Sequence, residues 1–201
     1  MFVIPFHRRS EEQTLSCLNW PEAFPYKPEV KFTAWHCGNA LHIEYTVDEQ
    51  SVRALEDRPG EFVYKDSCVE FFFQPRLDDP HYYNFEWNPL GTLYLAWRTG
   101  REGETLAPRP VLDMVTAEPT PSWPGPFAEK PAEGPWSLRV RIPVEALWMS
   151  GLDSFDHLRA RANFYKCGSG LAVPHFLSWA PVGTPKPDFH RPEYFAPVEF
   201  E

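Results

Sequence analysis

The chain has 201 residues, which suits a single domain spanning 1–201. Its formal net charge is −9 and no run of Lys or Arg stands out, so it lacks the basic surface that nucleic-acid binding requires. No stretch approaches the ~20 apolar residues that span a bilayer, and the first residues lack the layout of a secretory signal. We therefore expect no nucleic-acid or membrane partner, and a cytoplasmic protein, or a secreted one if a leader has been removed.

The composition favours strands and ordered loops over helices. Hydrophobic residues make up 43% of the chain, enough for a packed core, and aromatic residues make up 16%. The 23 prolines are about twice the usual share. Because proline removes a backbone donor and clashes with the preceding helical turn, this content argues against a helical protein.

A period-two alternation of apolar and polar residues predicts strands through most of the chain. Strands are predicted near residues 31–35, 41–47, 68–74, 81–88, 91–98, 111–116, 136–142, 160–166, 175–179 and 194–200. Short strands separated by Pro, Gly and Asn indicate an all-β fold, an antiparallel β-sandwich of the jelly-roll or immunoglobulin-like kind with long Pro-rich loops. We expect at most one or two short helices, one of them over 143–149, and a loop over 116–135.

The four cysteines are widely spaced along the chain, at Cys17, Cys37, Cys68 and Cys167. No two of them lie close enough in sequence to nucleate a zinc site. We expect free thiols, while a disulfide such as Cys17–Cys37 stays open.

Sorting each strand by the direction of its side chains predicts one apolar and one polar face. Near residues 68–74, Val69, Phe71 and Phe73 share one face, whereas Glu70 falls on the other. The same sorting places Glu86, Arg98, Arg161 and Asn163 on polar faces of their strands. Carboxylates, amides and arginines beside aromatic rings suit the hydroxyl groups and apolar ring faces of a sugar. The alternative is an ordinary solvated face of a sandwich.

Three segments resemble family 9 carbohydrate-binding modules: 66–73, which starts with Asp-Ser; 84–92, which reads Asn-Phe-Glu-Trp-Asn before Gly-Thr; and 161–195, which includes Arg-Ala-Asn-Phe-Tyr and the Pro-Asp-Phe-His-Arg-Pro motif. The match spans nearly the whole chain. The resemblance implies a non-catalytic β-sandwich that binds oligo- or polysaccharide of the xylan or cellulose type, or a terminal sugar. It also implies that structural calcium can be present.

In that family, two aromatic side chains clamp a sugar and polar groups bind its hydroxyls. The resemblance implies Trp179 as one side of the clamp and Tyr64 as the other. The implied hydrogen-bonding residues are Glu70, Glu86, Arg98, Arg161 and Asn163. His190 is assigned a structural role in the C-terminal loop.

Two other functions remain open. The sandwich face could meet a protein partner as an interaction scaffold. Alternatively, Glu70 and Glu86 could serve as acid and base of a glycoside hydrolase, which requires carboxyl groups ~5–9.5 Å apart across a bound sugar. We expect a binding protein and no enzyme, since the resemblance implies a non-catalytic module and the sequence shows no lid or second domain. Serine-nucleophile motifs and a phosphate-binding loop are also absent.

Overall fold

The computed structural model describes residues 1–201 and is built almost entirely from strands. The first half of the chain contributes β1 (Phe2–Ile4), β2 (Gln13–Thr14), β3 (Cys17–Leu18), β4 (Glu29–His36), β5 (Ala40–Asp48), β6 (Ser51–Ala54), β7 (Cys68–Gln74), β8 (Tyr82–Trp87) and β9 (Leu93–Arg98). The second half contributes β10 (Thr105–Leu106), β11 (Thr116–Thr120), β12 (Phe127–Pro131), β13 (Trp136–Pro143), β14 (Arg159–Cys167), β15 (Phe176–Ser178) and β16 (Ala196–Phe200). Helices are limited to α1 (Arg109–Leu112) and three single 3₁₀ turns, Val63–Lys65, Val144–Ala146 and Pro192–Tyr194.

The strands form two main sheets that pack face to face. The larger has nine strands, with the order β1-β16-β14-β7-β8-β9-β10 and with β15 and β3 attached beside β14. The smaller has five, in the order β11-β13-β5-β4-β2, and β12 pairs with β6 in a separate two-stranded sheet. Almost all pairings are antiparallel, as β5 with β13 and β7 with β14 illustrate. The predicted antiparallel β-sandwich is therefore confirmed.

The main core fills the space between the two sheets. Val69, Phe71 and Phe73 from β7 face it, as the alternation predicts, and Phe32 from the smaller sheet stacks on Phe164 of β14 with ring centroids 3.8 Å apart. Burial of these large apolar side chains is the main favourable contribution to folding.

A second apolar cluster lies on the other face of the nine-stranded sheet. It joins Phe72 and Tyr165 from the strands to Trp20, Phe189 and Phe195 from the loops. The N-terminal and C-terminal loops thus fold over the outer face, which is not simply solvated. The gap that they leave is where the polar residues of β7, β8 and β9 become accessible.

Three predicted elements are wrong. Residues 109–112 form α1 rather than a strand, and Pro108 and Pro110 fit there because the first turn of a helix needs no N–H donors. The predicted loop over 116–135 contains β11 and β12; Pro119 is tolerated because β11 lies at the edge of its sheet. The predicted helix over 143–149 is reduced to one 3₁₀ turn, Val144–Ala146.

All four cysteines are free, so the Cys17–Cys37 disulfide is not formed. None of the helices has the length and apolar composition to cross a membrane.

Candidate functional site

A pocket of about 320 Å³ opens on the outer face of the nine-stranded sheet. Strands β7, β8 and β9 form its floor, and the loops before β7 and before β16 form its walls. Its lining combines aromatic and charged residues: Phe62, Tyr64, Glu70, Glu86, Tyr94, Arg98, Arg101, Glu104, Cys167, Ser169, Phe176, Pro187, Asp188, Phe189 and His190. Four of the seven sequence-predicted site residues therefore lie together in it, namely Tyr64, Glu70, Glu86 and Arg98.

Glu70 and Glu86 lie side by side on the pocket floor. They are directly opposite each other in the antiparallel pairing of β7 with β8, so their side chains share one face. Both are buried, with 3% and 5% of their surface exposed. Oε1 of Glu86 accepts a hydrogen bond of 2.7 Å from Nδ2 of Asn84, whereas its Oε2 has no partner. An unpaired buried acceptor of this kind is a group that a ligand hydroxyl can satisfy.

Burial raises the pKa of both carboxyl groups. The pKa of Glu86 rises to about 7, against the opposing effects of the Arg98 guanidinium and the hydrogen bond from Asn84. The pKa of Glu70 rises well above its usual range, because burial and the negative charge of Glu86 both disfavour its ionised form. The two groups therefore titrate as a pair.

Arg98 lies beside this pair and is held by two hydrogen bonds. Its Nη2 donates to the hydroxyl of Tyr94 at 2.8 Å, and its Nη1 donates to the carbonyl of Arg101 at 2.9 Å. Nε of Arg98 is buried without a partner. Arg101 in turn forms an ion pair of 2.8 Å with Asp188. The pocket therefore has a fixed, planar donor next to two carboxyl acceptors.

His190 closes the floor from the C-terminal loop. Its Nδ1 lies 3.0 Å from the hydroxyl of Tyr82, and its ring lies 5.0 Å from the ring of Phe72. Burial and the nearby positive charges of Arg98 and Arg101 lower the pKa of His190 to about 3, so its ring is neutral at ordinary pH.

Aromatic residues come to the pocket from two directions. Tyr64 belongs to the 3₁₀ turn before β7 and is 38% exposed, and Phe62 beside it is 53% exposed. Phe176, at the start of β15, lines the pocket from the other side of the floor. One face of Phe189 is already covered by Tyr165, whose ring centroid is 4.1 Å away. Phe62, Tyr64 and Phe176 therefore present rings to the pocket on which a ligand could stack.

The structure does not bring Arg161 and Asn163 into the pocket. Arg161 donates to the carbonyl of Phe195 at 2.6 Å from Nη2, which fixes the C-terminal segment. Asn163 is fully buried, and its side chain binds both the N–H and the carbonyl of Ala180 at 2.9 Å and 3.0 Å. The side chains of both residues therefore hydrogen-bond to loop backbone and hold these loops against the sheet.

Trp179 also lies outside the pocket, on the face that meets the smaller sheet. Its ring packs 5.6 Å from Phe2 and 5.8 Å from Phe164, and both of these belong to the main core. In the pairing of β14 with β15, Phe176 is opposite Cys167, which lines the pocket. Trp179 comes an odd number of residues later and therefore points to the opposite face. The alternation alone shows that Phe176 and Trp179 point to opposite faces, and the pairing with Cys167 shows which of them faces the pocket.

The sequence analysis did not identify several other lining residues. Phe62 and Arg101 carried no distinguishing pattern, Tyr94 shares the outer face of its strand with Arg98, Asp188 lies in the Pro-Asp-Phe-His-Arg-Pro motif, and His190 was given only a structural role. Arg101, Asp188 and His190 belong to loops that are far from β7 in the sequence. Their distance in sequence from β7 therefore gives no sign that they lie near it in the fold.

One cluster of side chains could ligate a metal ion, and two of its three members, Glu70 and Glu86, line this pocket. The ligand atoms of Cys68, Glu70 and Glu86 are within 4.8 Å of one another. Ca²⁺ takes six to eight oxygen ligands, whereas this group offers a thiol and two carboxyl groups beside Arg98. These residues do not fit the calcium that the resemblance implies.

The model of carbohydrate-binding family 9 matches residues 4–200, and the chain belongs to this family. No curated protein sequence matches the chain significantly. The predicted family is therefore confirmed, and it is a family of non-catalytic binding modules.

Solved structures agree with this assignment. The chain is similar to a protein from Bacteroides uniformis ATCC 8492 described as a candidate carbohydrate-binding protein, with 41% identity and a TM-score of 0.90 over 95% of this chain and 86% of that one. It also shares its fold with a family 9 module from Caldicellulosiruptor kristjanssonii solved in complex with glucose, at 10% identity and a TM-score of 0.59 over 100% and 95% of the two chains. A structure of a family 9 module from the same organism with cellotriose gives 10% identity and a TM-score of 0.56 over 100% and 93%.

Proposed function

We propose that this chain is a non-catalytic module that binds a sugar in the pocket above Glu70 and Glu86. The observation that carries the proposal is the pairing of aromatic walls with a polar, partly unsatisfied floor. A sugar has apolar ring faces and polar edges, and this combination meets both.

The size of the pocket supports a small glycan as ligand. About 320 Å³ is at the lower end of the range for small-molecule sites, roughly 300–1,000 Å³. Tyr64 and Phe176 would stack on the ring faces, while Glu70, Glu86 and Arg98 would bind hydroxyl groups. The solved family 9 structures with glucose and cellotriose favour a cellulose-type oligosaccharide. A xylan-type oligosaccharide has the same ring chemistry and belongs in the test.

Hydrolysis is the weaker alternative for this pocket. A glycosidase needs its carboxyl groups on two sides of the scissile bond, roughly 5–9.5 Å apart. Glu70 and Glu86 are cross-strand neighbours on one floor, with ligand atoms within 4.8 Å. They could bind the same edge of a sugar, but this arrangement does not support attack from opposite faces.

The test is calorimetric titration of the purified protein with glucose, cellobiose, cellotriose, xylobiose and mannose. Tyr64→Ala and Phe176→Ala should each weaken binding by at least about tenfold, equal to about 1.4 kcal/mol. Phe6→Ala is the matched control, since Phe6 is an exposed aromatic residue that does not line the pocket. Chromatography of the sugars after incubation should show them unchanged.

Absence of binding to every one of these sugars would refute the proposal. Equal loss of affinity in the Phe6→Ala variant would place the sugar elsewhere. Consumption of an oligosaccharide by the wild-type protein would favour the hydrolase.

A further inference from the structure

We propose that Glu70 and Glu86 hold one proton between them at neutral pH, and that this acid–carboxylate pair binds two adjacent hydroxyl groups of the sugar. The inference rests on the proposed function for its ligand, and it adds the feature of the ligand that the floor recognises. The carboxylate would accept a hydrogen bond from one hydroxyl, and the carboxylic acid would donate to the next.

The geometry of the floor makes two full negative charges there costly. The two carboxyl groups are cross-strand neighbours, nearly excluded from water, and each lies within a few ångströms of the other. Charges of like sign in such a site repel strongly because little water screens them. Sharing one proton removes one of the two charges.

The neighbouring cations are engaged elsewhere and do not form ion pairs with either carboxylate. Arg98 donates to Tyr94 and to a backbone carbonyl, Arg101 pairs with Asp188, and Lys166 pairs with Glu49 behind the sheet. The other titratable groups that face the pair come from six segments: Cys68 on β7, Tyr82 on β8, Tyr94 on β9, Tyr165 and Cys167 on β14, Glu104 from the loop before β10, and His190 from the C-terminal loop. The two thiols and the three tyrosine hydroxyls all have raised pKa values and are neutral at pH 7, and His190 is neutral as well.

The position of the proton follows from the hydrogen bonds. Nδ2 of Asn84 donates to Glu86, which favours the ionised form of that group. Glu70 receives no such donation from an amide. Glu70 is therefore the acid of the pair and Glu86 is the carboxylate.

The first test needs no sugar. Infrared spectra of the unliganded protein at pH 8 should contain the carbonyl stretch of one protonated carboxylic acid. Glu70→Gln should remove most of that band, because the remaining Glu86 has a pKa of about 7 and is mainly ionised at pH 8. Glu118→Gln is the matched control, since Glu118 is exposed on β11 and its removal should leave the band unchanged. Absence of the band in the wild-type protein would overturn the proposal.

The second test follows cellobiose affinity between pH 8 and pH 10, where Glu86 is mainly ionised. In the wild-type protein, the affinity should fall by about tenfold per pH unit once the last proton is lost. Glu70→Gln keeps an N–H donor in place of the acid, so its affinity should stay within about twofold over the same range. The same fall in both proteins would contradict the proposal.

The two tests separate this proposal from the proposed function. An acid band in a protein that binds none of the sugars would support the shared proton and refute the proposed function. Sugar binding by a protein with no acid band would support the proposed function and overturn the proposal of a shared proton.

Discussion

Lys166 and Glu49 form an ion pair in the interior of the sandwich, with 2.9 Å between Nζ and Oε2 and no exposure of either side chain. Nε2 of His175 lies 2.9 Å from the same Nζ, and the indole N–H of Trp136 donates to Glu49 at 2.8 Å. Taking two charges out of water is costly, so such a pair is stable only when its remaining hydrogen-bonding groups are satisfied. This cluster joins the end of β14 to the end of β5 and lies behind the pocket.

Removal of one partner should therefore destabilise the protein strongly. Lys166→Met leaves the Glu49 carboxylate buried and unpaired, and we expect a loss of roughly 3–5 kcal/mol in the free energy of unfolding. Urea denaturation followed by circular dichroism measures it. The double variant Lys166→Met with Glu49→Gln should recover part of the loss, because no buried charge is left uncompensated. A single variant as stable as the wild-type protein would show that the pair is dispensable.

The same cluster predicts a dependence of stability on pH. Burial would raise the pKa of Glu49, but Lys166 and the hydrogen bonds from His175 and Trp136 outweigh it and lower that pKa from 4.5 to about 2. A carboxyl group with a lowered folded-state pKa contributes stability above its unfolded pKa and loses it as the pH falls. The difference in unfolding free energy between wild type and Glu49→Gln should be constant above about pH 5 and should shrink from there towards pH 2. A difference that is unchanged at pH 3 would contradict this assignment.

The alternation of residues along β7 and β8 predicted much of the pocket floor. Both strands carry buried aromatic residues on one face, and this fixes Glu70 and Glu86 on the other face. The same alternation places Arg161 and Asn163 on the outer face, but their side chains hydrogen-bond to loop backbone and do not reach the pocket. Which polar residues a loop covers depends on tertiary contacts that no local pattern encodes.

The walls of the pocket were harder to predict than the floor. Tyr64, which lines the pocket, was assigned to the clamp by resemblance, from its position just before the Asp-Ser strand. The opposite wall was assigned to Trp179 by resemblance, although the pairing of β14 with β15 places Phe176 there. A large aromatic ring at the end of a strand fits a clamp and a core equally well, and only the direction of the side chain separates the two.

The four thiols should differ in reactivity. Cys17 and Cys37 are half-buried, whereas Cys68 and Cys167 are buried and burial raises the pKa of both of these thiols. Because the thiolate is the reactive form, a disulfide reagent at pH 8 should modify Cys17 and Cys37 quickly and the other two slowly. Mass spectrometry of the labelled peptides identifies the sites, and all four should react in urea. Rapid labelling of Cys68 in the folded protein would show that the outer face opens readily.

Gly168 should not tolerate a side chain. A Cβ atom at this position would lie 2.5 Å from a ring carbon of His175, whose ring is buried in the cluster with Lys166. We expect Gly168→Ala to lower the free energy of unfolding by roughly 1–3 kcal/mol, as overpacking does. Gly100→Ala is the matched control, because no atom lies within 4 Å of its added Cβ. Equal melting temperatures for the two variants would contradict the predicted clash.

The placement of Trp179 leads to a prediction that separates stability from binding. Its ring packs on Phe2 and Phe164, and its indole N–H donates a long hydrogen bond of 3.4 Å to Gln13. Trp179→Phe should therefore cost about 1 kcal/mol of stability, in the range of small core changes, and should leave the affinity for cellobiose within about twofold. Phe176→Ala should instead show a clear loss of affinity, accompanied by a loss of stability because its ring also packs on Phe24 and Trp20. The two variants are compared by calorimetric titration and by urea denaturation of the same preparations. If Trp179→Phe weakened binding by about tenfold while the protein remained folded, the sugar would contact the Trp179 side of the sheet and the pocket above Glu70 would not be the binding site.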